Sequence, residues 1–251
     1  MILDGMMHLE VVGEYWDGLL EEVLAQYDAA GIDKGVVLNT WMPSRESNDR
    51  TLAACRQYPD RFIPFGHVRP VDDWCDELKR ITQEFGWTGL KLHQGELRHG
   101  GPDVRAVTAE IVQAASDLGI RLVKIHLSDY DAVDGLAQDF PQVTWILPHM
   151  GCYFQGRELQ RYCELARRRE NVYLDTSAMD RYPDLDKAIQ WAGAEKITFA
   201  SDGHLFSPLV EKAKIDTLRL YSPHRLGRLA DEQYALIMGG TMARLLGLPS
   251  A

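Results

Sequence analysis

The sequence predicts an α/β fold, a single (β/α)8 barrel of the TIM type formed by residues 1–251 as one domain. Three observations predict it. Short apolar segments that end on polar residues recur eight times along the chain, and most neighbouring pairs are separated by a stretch of helical periodicity. The length, 251 residues, suits one barrel, which commonly takes about 250. The competing architecture, an open doubly wound sheet, calls for a glycine-rich phosphate fingerprint after the first strand, and none is present.

The opening strand runs through Met1–Leu3 into Asp4, Met6 and His8. Residues 14–30 carry Trp16, Leu19, Leu20, Val23, Leu24 and Tyr27 at spacings of three and four, which predicts a helix stopped by Gly31. Residues 34–39 form the second strand, and a helix is expected over 49–57. Residues 61–67 are the third strand, with Pro64 as an irregularity because proline cannot donate to a ladder. A helix over 71–85 leads to the fourth strand, 88–93. The second half repeats the pattern: helix 104–118 ended by Gly119, strand 121–126, helix 132–139, strand 143–149, helix 158–168 and strand 171–176. Helix 185–194, strand 196–202 and closing helices over 210–220 and 231–246 complete the chain. No low-complexity tract or proline-rich linker divides it.

Composition narrows the function classes. A net charge of −10 disfavours nucleic acid and anionic membrane as partners, yet leaves room for a small anionic substrate, which responds to the local pocket. No run of about 18 apolar residues and no basic leader is present, so neither a membrane span nor a signal peptide is expected, and the cytoplasm is the expected compartment. Cys55, Cys75, Cys152 and Cys163 are scattered without a C-x-x-C pair, as reduced structural thiols would be.

Barrel enzymes build their sites at the C-terminal ends of the strands. Here those ends carry Asp4, Met6 and His8; Asn39 and Trp41; His67; Lys91 and His93; Lys124 and His126; His149; Asp175 and Thr176; and Asp202 and His204. Six of the 8 histidines fall at such positions, so a histidine-rich funnel on one face is expected. Because side chains two apart on a strand point the same way, Met6 and His8 should face one centre.

Residues 4–8 (Asp-Gly-Met-Met-His), 122–126 (Leu-Val-Lys-Ile-His), 146–151 (Ile-Leu-Pro-His-Met-Gly) and 199–204 (Phe-Ala-Ser-Asp-Gly-His) together resemble the landmarks of the amidohydrolase-related proteins. That branch of the amidohydrolase superfamily includes aminocarboxymuconate semialdehyde decarboxylase and aromatic-acid decarboxylases beside hydrolases. Residues 61–70, 89–93 and 243–248 extend the likeness over nearly the whole chain. The resemblance implies a mononuclear divalent site, zinc or manganese, held by His8, His126 and Asp202. It casts Asp202 as general base and His149 as the group that polarises substrate or water. Lys91 sits in the family's ordinary Gly-Leu-Lys-Leu-His setting, which speaks against a carboxylated-lysine dinuclear site.

Met6 departs from the pattern, standing where the family has its first histidine; a thioether is a soft, weak ligand for such ions. Three outcomes stay open: an ion retained at reduced affinity, an ion lost with the histidines and Asp202 acting directly, or a silent binding module. Met6, Trp41, His93, Tyr153 and His204 are the candidate substrate contacts, with Phe154 and Arg157 as further rim candidates. Each has a plainer reading beside it: Met6 as apolar filler, Trp41 and Tyr153 as rim packing, His67 as a hydrogen-bonded structural histidine, Asp4 as a turn residue. The resulting expectation is hydrolysis of a small amide, lactone or ester by activated water. The alternatives are non-oxidative decarboxylation of a small aromatic or unsaturated acid, and a catalytically silent binder. The expected partner is a small-molecule substrate, and a homodimer is the candidate assembly.

Overall fold

A computed structural model describes residues 1–11, 14–15, 19–151, 158–179 and 181–249. Eight parallel strands form the barrel: β1 (Leu3–Met7), β2 (Lys34–Val37), β3 in two pieces (Phe62–Pro64 and Gly66–His67), β4 (Gly89–His93), β5 (Leu122–His126), β6 (Thr144–Leu147), β7 (Val172–Asp175) and β8 (Ile197–Thr198). Proline explains the split in β3. Its first piece pairs with β2 as far as Val37↔Pro64, and the second pairs with β4 from Gly66↔Leu90.

The seam between the last and first strands is closed by backbone hydrogen bonds. Gly5 N donates to Phe199 O (2.9 Å), Asp202 N to Met6 O (3.0 Å) and His8 N to Gly203 O (2.5 Å), beside a parallel bridge between Met7 and Gly203. β8 is shorter than the sequence suggests, ending at Thr198, and residues 199–203 continue beside β1 through these separate hydrogen bonds.

Strand alternation sorts the side chains into two layers. On β5, Val123 and Ile125 join the apolar layer between barrel and helices, while Leu122 packs in the barrel interior with Leu3, Met6, Ile146 and Tyr173. The register Lys91↔Lys124 and His93↔His126 places like residues at the same height on adjacent strands. Each large apolar side chain so buried contributes about 1.5–3 kcal/mol. Met242, from the closing helices, is buried in the interior cluster too.

The surrounding helices include α1 (Leu19–Ala30), α2 (Ser44–Gln57), α3 (Trp74–Lys79), α4 (Gln94–Leu97), α5 (Val104–Asp117), α6 (Tyr130–Asp139), α7 (Leu159–Arg168), α8 (Asp184–Ala192) and α9 (Pro208–Leu220). α5 and α6 start where Asp103 and Asp129 accept from Ala106 N and Ala132 N, each satisfying an amide that the helix leaves without a partner. Two expectations need correction. The first helix begins at Leu19, because Glu14–Tyr15 pairs antiparallel with Glu10–Val11; Trp16 lies outside the described residues. The helices expected over 71–85 and 231–246 are each interrupted by a π-helical turn, at Arg80–Glu84 and Leu236–Gly240. The short α4 had no periodic signal of its own.

One contact fixes α1 against the first strand. Tyr27 Oη donates to Asp4 Oδ2 at 2.9 Å, and a Cβ at Gly35 would lie 2.2 Å from that hydroxyl, so only glycine lets the ring pass. Among the described residues, no helix is long and apolar enough to cross a membrane.

Candidate active site

A cavity of about 420 Å³ opens at the C-terminal ends of the strands. His8, Lys91, His93, His126, His149 and Asp202 line its depth, with Glu10, Thr40, Trp41, Gln94 and Leu205 around them. Residues remote in sequence meet there because parallel strands all deliver their C-terminal ends to one face.

His8 and Asp202 define the centre: His8 Nε2 lies 3.0 Å from Asp202 Oδ1, and on the other side of the ring His8 Nδ1 lies 3.2 Å from Glu10 Oε1. Burial opposes charging of the His8 ring, but two flanking carboxylates outweigh it and raise its pKa to about 9. Burial alone would raise the Asp202 pKa; the hydrogen bond and charge of His8, helped by His149 and Lys91, instead hold it well below the usual carboxylate range.

The other imidazoles behave oppositely. Burial, reinforced by the charges of Lys91 and His8, lowers His93 to about 3. Its Nδ1 accepts from Gly95 N at 3.1 Å, so the ring proton belongs on Nε2. Burial, with His149 and Lys91 nearby, pushes His126 far down, and burial also lowers His149. The His126 ring stacks edge-on to both neighbours, with centroids 4.5 Å from His93 and 5.0 Å from His149. Trp41 closes the rim, 4.4 Å from the His93 ring.

Beneath the cavity lies a buried frame. Lys124 Nζ donates to Asp175 Oδ2 at 2.6 Å, and Asp175 Oδ1 accepts from the backbone of His149 and Ser177, both at 3.0 Å. Ser177 Oγ lies 3.0 Å from His149 Nδ1 and orients that ring. Trp41, His149 and Asp202 all adopt positive φ (64°, 57° and 60°), a conformation costing non-glycine residues on the order of 1–3 kcal/mol. The surrounding hydrogen bonds hold these three cavity residues in strained backbone.

Met6 does not line the cavity. It is 1% exposed within the barrel interior, and its sulfur lies 3.9 Å from Lys91 Nζ. A register irregularity between Asp4 and Met7 accompanies this placement. His204 is likewise absent from the cavity lining, and Tyr153, Phe154 and Arg157 lie outside the described residues. His67 is fully buried away from the cavity, its Nε2 3.3 Å from Glu96 Oε1. Asp4 accepts from Met6 N, Ser201 N and Ser201 Oγ as well as from Tyr27, which ties β1 to the end of the last strand.

Sequence reasoning passed over Glu10, although its spacing of two from His8 was a usable signal. Lys91, expected among the polar strand ends, does line the cavity.

His8, His126 and Asp202 fit a divalent ion in donor type, two imidazoles and a carboxylate. Glu10 supports the fit twice. It holds His8 Nδ1, as outer carboxylates do for metal-binding histidines, and its buried Oε2 has no hydrogen-bond partner among the described residues. Among those residues no three such side chains are already gathered as a metal cluster.

A family model described as amidohydrolase matches residues 14–248. The chain belongs to the amidohydrolase family. No curated protein matches this amidohydrolase in sequence. Among solved structures, 2,6-dihydroxybenzoate decarboxylase from Rhizobium is similar at a TM-score of 0.68 and 18% identity, with 98% of each chain covered. A dihydroxybenzoic acid decarboxylase from a Polaromonas species, with bound manganese and the inhibitor 2-nitroresorcinol, gives 0.68 and 17%, covering 100% of this chain and 98% of that one. An uncharacterised TIM-barrel protein from Bordetella bronchiseptica gives 0.74 and 17%, with 98% of each covered. The family match and these likenesses agree with the barrel described above.

Proposed function

We propose that this amidohydrolase-family enzyme is a metal-assisted, non-oxidative decarboxylase of a small carboxylic acid. The observation that carries the reading is the lining of one cavity by the His8–Asp202 pair, by imidazoles that burial keeps neutral and by the Lys91 amine. Such a lining suits an anionic ligand better than a neutral ester. The Rhizobium and Polaromonas proteins of like fold, named as dihydroxybenzoate decarboxylases, support the same direction, and manganese in the second supports the choice of ion.

His8, His126 and Asp202 would hold the ion, which when bound supplies a Lewis-acidic centre for the oxygens of the acid. His93, neutral and with its proton on Nε2, offers a donor without adding charge. The carbon–carboxyl bond breaks with its electron pair left on the unsaturated carbon; carbon dioxide departs, and a proton taken up from water takes its place, since Asp202 is held as a carboxylate.

Hydrolysis, the first expectation from sequence, asks Asp202 to take a proton from water. An Asp202 oxygen already faces His8 Nε2, and the carboxylate is held well below its ordinary range, which makes it a weak acceptor. The test is direct. Purified protein supplied with manganese is incubated with hydroxylated benzoic acids and, separately, with esters and lactones. The expected result is carbon dioxide with the matching decarboxylated product. Turnover of esters or lactones without carbon dioxide from any acid would return the assignment to hydrolysis; stabilisation by ligand with no turnover of either set would make the protein a binder.

A further inference from the structure

Two lysines stand side by side in the barrel, paired in register on β4 and β5, and among the described residues only Lys124 has a counterion. Lys124 is fully buried and spends its charge on Asp175 at 2.6 Å. Lys91 is 2% exposed and lines the cavity, and its nearest polar contact is a thioether, Met6 Sδ at 3.9 Å. It feels the charges of Asp202, Asp175 and Glu96, yet among the described residues no carboxylate oxygen lies within 4.0 Å of its nitrogen. A buried cation without a partner is costly, and structures generally supply one.

We propose that Lys91 is the anion anchor of the cavity: its ammonium pairs with an acidic oxygen, carboxylate or phenolate, of the small molecule bound there. This rests on the reading that the cavity takes a small acid. The other cation-capable groups in the lining are excluded from the task. His8 is already engaged by Asp202 and Glu10, and His93, His126 and His149 are driven toward neutrality by burial. Burial, with Lys124 beside it, lowers the Lys91 pKa to about 8, which leaves the amine mostly protonated at neutral pH and without a carboxylate of its own. The thioether at position 6 matters here, because a neutral soft group packs against the lysine stem without neutralising its charge.

The test compares benzoate with benzamide, which differ in charge and little in shape, by calorimetric titration of the manganese-loaded wild-type protein and of Lys91→Met and Lys91→Gln. The wild-type protein is expected to bind benzoate at least about tenfold more tightly than benzamide, the size of a charge-assisted contact. Both variants should show that preference reduced by about tenfold while binding benzamide as before, any part that the ion supplies being common to all three proteins. Two variants of different polarity guard against a folding defect in one, and retained benzamide binding reports an intact cavity. Absence of a benzoate preference in the wild-type protein, absent binding included, overturns the proposal, and so does a preference that is undiminished in a folded variant. Failure of the decarboxylase reading looks different: no carbon dioxide is released, while the benzoate preference and its dependence on Lys91 persist.

Discussion

His8 Nε2 and Asp202 Oδ1 stand 3.0 Å apart, so the first strand and the loop after the last one supply the two halves of one centre. Glu10 fixes the far side of the same imidazole. Asp202→Asn keeps the shape and removes the charge, and we expect manganese affinity and kcat/KM to fall by about 100-fold or more, with Glu10→Gln weakening manganese binding about 10- to 100-fold. Calorimetry and steady-state kinetics measure both. Unchanged affinity in both variants would remove this pair from ion binding.

Position 6 offers a gain-of-function test. Its side chain sits on the inner side of β1 but below the cavity, against Lys91. Met6→His is expected to tighten manganese binding at least about tenfold by adding a good ligand. Should affinity stay the same, the side chain at this position remains with Lys91 and does not reach the ion.

Asp4 predicts a pH dependence of stability. Burial raises its pKa from 3.8 to about 6, against the pull of its Ser201, Met6 and Tyr27 hydrogen bonds. Between those pH values the folded chain keeps a proton that the unfolded chain has released. The contribution is therefore fully present below about pH 4 and declines as pH rises through about 6, by about 3 kcal/mol in all. Urea unfolding of wild type and Asp4→Asn from pH 4 to 7 isolates it. A difference between the two proteins that does not vary with pH would contradict the assignment.

The buried Lys124–Asp175 pair yields a further prediction. Lys124→Met leaves a carboxylate in the barrel without its counterion, and we expect a loss of about 3–5 kcal/mol. Replacing both partners by apolar residues should recover part of it. Asp175 also accepts from the His149 and Ser177 amides, so full recovery is not expected. Chemical denaturation of the two single variants and the double variant decides; additive losses would mean that the pair is not coupled.

The barrel was legible because its signal is repeated. Alternation on β4 and β5, with Leu90, Leu92, Val123 and Ile125 outward and Lys91, His93, Lys124 and His126 inward, can be read directly from the order of residues. The polar strand ends likewise placed His8, His93, His126, His149 and Asp202, all of which line one cavity. Less legible was how deep along the barrel axis a side chain sits. Alternation from His8 puts Met6 on the inner side of β1, as found, but the step back along the strand sets it beneath the cavity against Lys91, which spacing alone does not tell. Glu10 lies past the end of β1 and so outside the repeated pattern of strand ends, although its spacing of two from His8 keeps it beside that ring.

The way the barrel closes also dictates when its chemistry can begin. β1 is hydrogen-bonded to residues 199–203 across the seam, and the first half of the His8–Asp202 centre waits for the second. On the ribosome, a chain that has emerged only as far as β7 has seven strands and most of its histidines, but its opening strand still lacks a neighbour on one edge. The nascent chain thus cannot form the His8–Asp202 pair until residues 199–203 have emerged and met the opening strand.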